Sequence, residues 1–234
     1  MLLSFSHSTI FPFLHSQFST IFASMPFHLS KLQIPYILAQ ASDIWDSELV
    51  FENGKYYHIR ARSGKGKSSF IHTLYGVQKN YTGKLFFKGK NAGTYTHDEW
   101  CDVRAKQLSI VFQDLRLFED KTAMQNLQIK NELTQYCSFE NIKAFAERLK
   151  ITHVLQRNIH TLSYGERQRV AIIRAMLQPF DCLLLDEPFS HLDNENIALA
   201  SALILEEAKK RNATIILCDL ETDIHFPYHF NLNL

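Results

Sequence analysis

The stretch Ala61-Arg62-Ser63-Gly64-Lys65-Gly66-Lys67-Ser68-Ser69 decides the fold. It meets the pattern Ala/Gly, four residues of any type, then Gly-Lys-Ser/Thr, through Ala61, Gly66, Lys67 and Ser68. Glycines let a backbone turn its N–H groups inward around phosphate oxygens. A helix that starts at such a loop aims its positive end at the same anion. Lys67 is then placed to hold the β- and γ-phosphates of a nucleotide, and the Ser68 hydroxyl to bind Mg²⁺. The flanks fit: His58 to Ala61 reads as a strand, and Phe70, Ile71 and Leu74 fall on one helical face that Gly76 ends. The bland alternative is a Gly/Lys-rich surface turn. It explains neither the strand before the loop nor the helix after it.

The bulk numbers bound the rest. The chain has 234 residues, 46% of them hydrophobic and 21% charged, so one large domain with a sizeable core is expected. A net charge of +1 supplies no overall basic field, so nucleic acid is not an expected partner. Cys101, Cys137, Cys182 and Cys218 form no close pair, and Cys182 and Cys218 sit in apolar runs. They read as reduced core cysteines. No segment is apolar for the roughly 20 residues that a membrane-spanning helix needs, so any membrane role is peripheral. Residues 1–30 carry no Lys, Arg, Asp or Glu, and Ser, His and Pro interrupt their apolar stretches. They read as a loosely ordered N-terminal extension, or an upstream start ahead of Met25, rather than a signal peptide. The working domain is expected over residues 31–234.

Leu32 to Ala61 reads as short strands with a turn at Glu52-Asn53-Gly54, and Lys84 to Gly89 as a strand and turn. Leu108 to Phe112 is a further strand. The composition then turns polar and helical, for example over Phe139 to Lys150, so a helical subdomain is expected over about residues 115–165. Val170 to Leu177 continues as helix. Cys182-Leu183-Leu184-Leu185 is a compact apolar run of the kind that forms a strand buried on both faces. Glu195 to Arg211 is a helix with acid at its start and three cations at its end. Ile215 to Cys218 reads as the last buried strand.

Two further segments carry chemistry. Asp186 and Glu187 follow the apolar run Leu183-Leu184-Leu185, and Pro188 stops the strand. An acid at a buried strand end beside a phosphate loop is placed to reach Mg²⁺, and Glu187 to act as general base on an attacking water. Ser163-Tyr164-Gly165-Glu166 forms a capping box, which alone would mean only a helix start. A helix N-terminus beside a glycine is also an anion site.

Five motifs now stand in order: the loop, Val111-Phe112-Gln113, Leu162-Ser163-Tyr164-Gly165-Glu166, Leu185-Asp186-Glu187-Pro188, and Ser190-His191-Leu192-Asp193. Together they resemble the ATPase subunit of ABC transporters over about Leu32 to the C-terminus. The style of Val111 to Asp114 and Thr122 to Asn126 is closest to the lipoprotein-releasing, macrolide-export and cell-division group. The resemblance implies an α/β fold, a P-loop NTPase core of ABC type with an antiparallel β subdomain and an inserted helical subdomain. It implies ATP and Mg²⁺ as ligands, a second cassette (an identical copy is the simplest) and a separate integral membrane permease. It also implies a cytoplasmic, peripheral place on the inner membrane face. Ser63, Gly64, Lys65, Gly66, Lys67, Ser68 and Ser69 would contact the nucleotide; Ser68, Gln113 and Asp186 would hold the metal. Glu187, Lys67 and Gln113 would serve catalysis. Ser163, Gly165 and Glu166 resemble the signature that binds the γ-phosphate of ATP held by the other subunit. Ser190 to Asp193 resembles the loop across the dimer interface, with Asp193 joining the nucleotide contacts. Tyr36 lies near the family's adenine-stacking ring, or is a strand core residue.

The chain departs from that pattern at particular places. Ala61 replaces the usual first glycine, Tyr164 a glycine and Glu166 a glutamine of the signature. After the last strand, Asp219-Leu220-Glu221 puts Leu220 where the family has a histidine on the γ-phosphate. His225, a turn further on, and His191, at a variable position of the interface loop, are weak substitutes. Loss of one positioned polar contact commonly costs ~10²–10³ in rate, so slow turnover is expected. The rival readings are a nucleotide-switched binding module with little turnover, and a soluble ABC protein acting on ribosomes or DNA. The latter usually carries two cassettes or a long coiled-coil insertion, and this chain has neither.

Overall fold

The structure is a computed structural model that describes residues 25–37, 42–220 and 225–234. Residues 1–24 of the expected extension lie outside the described residues, as do residues 221–224 beyond the last expected strand.

Two sheets are built. β1 (Phe27–Gln33), β2 (Glu48–Phe51), β4 (Thr82–Phe87) and β5 (Lys90–Asn91) form an antiparallel sheet in the order β2-β1-β4-β5. β3 (Tyr56–Arg60), β6 (Leu108–Val111), β7 (Cys182–Asp186), β8 (Thr214–Asp219) and β9 (Phe230–Asn233) form the second sheet, order β6-β7-β8-β3-β9. Each of its pairings is parallel. Parallel sheets need cover on both faces, which is why β7 is a run of apolar residues rather than an alternation. The α-helices among the described residues are α1 (Lys67–Leu74), α2 (His97–Lys106), α3 (Ala123–Glu132), α4 (Phe139–Arg148), α5 (Tyr164–Met176) and α6 (Asn194–Arg211).

The sheet divides the core by its period of two. Val111, Leu183, Leu185, Ile215 and Leu217 point into one apolar cluster, which they share with buried residues of α3, α4, α5 and α6. Ile110, Leu184, Ile216, Cys218, Tyr57 and Ile59 point into the other, with Phe70, Ile71 and Leu74 of α1, Trp100 of α2 and the antiparallel sheet. Cys182 and Cys218 are buried free thiols, and burial pushes both pKa values up. Capping chemistry sets the helix starts. Thr96 with Glu99, Thr122 with Gln125, and Ser163 with Glu166 each form a full capping box on α2, α3 and α5.

Three elements differ from the sequence reading. β1 starts at Phe27, so residues 27–30 belong to the sheet rather than to the extension: Phe27 is 0% exposed and pairs with Phe51 and Phe87. β9 follows β8, so the strand at Ile215 is not the last; its side chains are mostly exposed because it is an edge. α2 was not expected, because its composition is mostly polar and only Trp100 and Val103 are buried. No described helix is long and apolar enough to cross a membrane.

The new boundary is testable. Phe27→Ala empties a fully buried aromatic site and should lower unfolding free energy by about 3–5 kcal/mol. Urea unfolding measures it; a change below about 0.5 kcal/mol would put Phe27 outside the core.

Candidate functional site

The register of the parallel sheet sets where the loops emerge. Arg60 of β3 pairs with Asp219 of β8, and Cys218 pairs with Asp186 of β7. The chain leaves β3 into the loop 61–66, leaves β7 at Glu187, and leaves β6 two residues before Gln113. Three strand ends therefore deliver their residues to one edge, the carboxyl edge at which open α/β sheets bind ligands.

In the loop, the residues with positive φ are Gly64 and Gly66, at 77° and 96°. Ala61 is not among them, so its replacement of the usual glycine costs the loop nothing. A Cβ on Gly64 would meet nothing within 4 Å, whereas one on Gly66 would lie 2.1 Å from Ile37 Cδ1. Lys67 opens α1 and is nearly buried. Its Nζ donates to the Ala61 carbonyl at 2.9 Å and pairs with Glu187 Oε1 at 3.1 Å. Glu187 accepts from Gln113 Nε2 at 3.1 Å, and Gln113 Oε1 accepts from Ser68 Oγ at 3.3 Å. Left-handed backbone at Glu187 (φ 47°) turns the chain at the end of β7. Ser63, Gly64, Gly66, Lys67, Ser68, Ser69, Gln113 and Glu187 line one pocket of about 230 Å³ with Tyr36 and Ile37. Tyr36 is not a core residue: it is 59% exposed, and its hydroxyl donates to Ser69 Oγ at 3.2 Å and accepts from Gln78 Nε2 at 2.7 Å.

Asp186 is the unbalanced member. It is 1% exposed, and both carboxylate oxygens are buried without a hydrogen bond of good geometry. Burial pushes its pKa up to about 6. The Ser68 hydroxyl draws it partly back, while the carboxylates of Glu187 and Asp114 add to the rise. Two orphaned carboxylate oxygens beside a serine hydroxyl and an amide oxygen form an all-oxygen donor set, which fits a hard cation such as Mg²⁺. Among the described residues no cluster of His, Cys, Asp or Glu suits a softer metal.

The remaining expected residues stand outside this pocket. Ser163 caps α5, and Glu166 Oε2 accepts from the Ser163 N–H and hydroxyl at 2.8 Å each. Burial pushes the Glu166 carboxyl up, but Ser163 and His153 outweigh it and hold it low. Gly165 lies against the backbone of His191, where a Cβ would come within 3.0 Å of the carbonyl. Asp193 caps α6 through Asn196, which also holds its carboxyl low. Lys65 belongs to the loop without lining the pocket. Leu220 follows β8 and is 47% exposed. Sequence reasoning missed Gln168, whose buried amide donates to the Glu187 carbonyl at 3.3 Å, and Gln78 and Ile37 around Tyr36 and the loop. No local pattern marks them, because each acts across a long separation in the chain.

The orphaned carboxylate predicts a pH effect. Asp186 ionises near 3.8 when unfolded and near 6 when folded, so the folded state holds more protons in between. Its contribution to stability is thus present at low pH and lost as pH rises through that window. Asp186→Asn should stabilise the nucleotide-free protein at pH 7.5 by roughly 1–2 kcal/mol, the shift less the cost of burying an amide. Urea unfolding at pH 7.5 and 4.5 should show that gain shrink at the lower pH; a gain independent of pH would contradict the orphaned charge.

Residues 45–190 match the family described as ABC transporter. The chain is similar to the lipoprotein-releasing system ATP-binding protein LolD of Buchnera aphidicola, 32% identical over 72% of this chain and 75% of that protein. It is also similar to the methionine import ATP-binding protein MetN of Brucella abortus, 33% identical over 73% of this chain and 47% of that protein. In fold it resembles the dimeric post-hydrolysis state of the ATP-binding cassette MJ0796 bound to ADP and Pi. The TM-score there is 0.71 at 22% identity, over 83% of this chain and 88% of that one. It likewise resembles cbiO1 from Clostridium perfringens, part of the ABC transporter complex cbiONQ. That TM-score is 0.66 at 24% identity, over 86% and 80% of the two chains. With the ordered motifs and the two-sheet α/β core, these matches identify the chain as a member of the ABC transporter family, carrying its ATP-binding cassette.

Proposed function

We propose that this chain hydrolyses ATP to drive a separate membrane permease, working as one of two facing cassettes, most simply two copies of itself. The observation that carries the reading is the set Lys67, Glu187, Gln113 and Ser68, joined by an ion pair and hydrogen bonds, with the buried and orphaned Asp186 preceding Glu187 in the chain. In the mechanism, backbone N–H groups of residues 63–69, Lys65 included, cradle the phosphates. Lys67 exchanges Ala61 and Glu187 for the β- and γ-phosphate oxygens. That exchange frees Glu187, whose carboxylate takes a proton from the attacking water. Ser68, Gln113 and Asp186 would hold Mg²⁺, which when bound would neutralise charge developing on the phosphate oxygens. The exposed ring of Tyr36 faces the adenine. Ser163, Gly165, Glu166 and Asp193 serve the nucleotide of the opposite cassette, which accounts for their absence from the Lys67 pocket.

Residues 115–165 act as the helical subdomain, and the rest of the described chain as ATPase core. The permease docks on the helical side, on a groove of about 290 Å³ beside the exposed Phe118, Ile129 and Leu133. This groove is larger than the Lys67 pocket but holds none of its chemistry. The position is cytoplasmic and peripheral on the membrane, with no role for nucleic acid.

A second reading is a nucleotide-operated switch with little turnover. The exposed apolar side chain of Leu220, where the family has a polar contact, favours it. Phosphate release by the purified protein, alone and with its permease, separates the two. The enzyme reading expects slow release, roughly 10²–10³ below a fully equipped cassette, that Glu187→Gln abolishes. Release no higher than in Glu187→Gln would defeat it. ATP-dependent dimerisation in a sedimentation experiment would then select the switch.

A further inference from the structure

Tyr164 stands where the signature usually has glycine, and it closes a ring of contacts around Glu187. Its hydroxyl donates to the Gln113 backbone carbonyl at 2.9 Å. Its ring lies on His191, with centroids 4.1 Å apart at 43°. From Gln113 the path runs through Nε2 to Glu187 Oε2 at 3.1 Å, and through Oε1 to Ser68 at 3.3 Å. From His191 it runs by the backbone N–H to Gln168 Oε1, and from Gln168 Nε2 to the Glu187 carbonyl, each at 3.3 Å. The side chain and the main chain of Glu187 both lead back to Tyr164.

Two members of the ring, Gln168 and Glu187, are buried. Gln168 is buried, so its amide has no water to replace these partners. Gly165 keeps the α5 backbone close to the His191 carbonyl, which holds the Tyr164 ring against that loop. The tyrosine itself is 40% exposed, so it is not there to fill a core. Its hydroxyl reaches a main-chain atom 51 residues away, at the site of the one glutamine that touches both Ser68 and Glu187.

We propose that Tyr164 is a positioning residue for the hydrolytic centre of its own chain. It fixes the main chain of Gln113, so that the Gln113 side chain holds Glu187 and Ser68 in one arrangement. The inference rests on the reading of Glu187 as the base.

The test uses the full-length chain with Tyr164→Phe, which keeps the ring on His191 and removes only the hydroxyl, and Tyr164→Gly, which removes both. Hydrogen–deuterium exchange of the nucleotide-free protein should show faster exchange around residues 112–116 in Tyr164→Phe, with an unchanged melting temperature. Steady-state kinetics should show kcat falling by about 10-fold with KM for ATP changed less than about twofold, and Tyr164→Gly falling further. Wild-type exchange in Tyr164→Phe, or wild-type kcat, overturns the proposal. If the wild type releases no phosphate above Glu187→Gln, that failure belongs to the enzyme reading, and the exchange result alone decides on Tyr164.

Discussion

The parallel ladder β7-β8-β3 is the constraint on which everything else rests. Asp186 pairs with Cys218, and Arg60 with Asp219, so the ends of these strands lie level. Backbone bonds continue the ladder past the strands: the Glu187 N–H donates to the Cys218 carbonyl at 2.9 Å and the Ala61 N–H to the Asp219 carbonyl at 3.2 Å. A slip of one residue would turn Leu184 and Leu185 to the wrong clusters, which the two apolar cores forbid. The hydrophobic pattern of these strands thus places the loop and two acids together, and β6, paired in parallel with β7, brings Gln113 to the same edge. The chemistry inherits its geometry from packing.

What gathers at that edge is a dense set of charges. Lys67 and Glu187 form a pair nearly out of reach of water. Such pairs are tolerated when further hydrogen bonds complete them, and here the Ala61 carbonyl and Gln113 do so. Asp186 has no such completion and holds its proton more tightly for it. The free protein carries this as a local instability. A hard cation would give Asp186 the partner it lacks.

Much of this was legible before any coordinates. The loop stood out because glycine, lysine and serine at that spacing match a phosphate-binding pattern, and the expected strand and helix do flank it. Cys182 to Leu185 read as a strand because a parallel strand buried on both faces must be apolar throughout. The capping box at Ser163 and Glu166 formed as the pattern predicts. The misses have equally plain causes. α2 is a polar surface helix, yet Thr96 and Glu99 carried the same capping signal as Ser163 and Glu166. β9 is a polar edge strand, recognisable only once β3 exists to pair with it. The ring through Tyr164, His191 and Gln168 joins segments far apart in the chain, and no local pattern encodes such a contact.

On the proposed function, Lys67 and the orphaned Asp186 form one site for a nucleotide and a divalent cation. Calorimetric titration of ATP into the intact protein, with Mg²⁺ and with EDTA, tests it most directly. Binding should strengthen with Mg²⁺, be abolished in Lys67→Ala, and be indifferent to Mg²⁺ in Asp186→Asn. Binding that survives in Lys67→Ala, or that keeps its response to Mg²⁺ in Asp186→Asn, would contradict it.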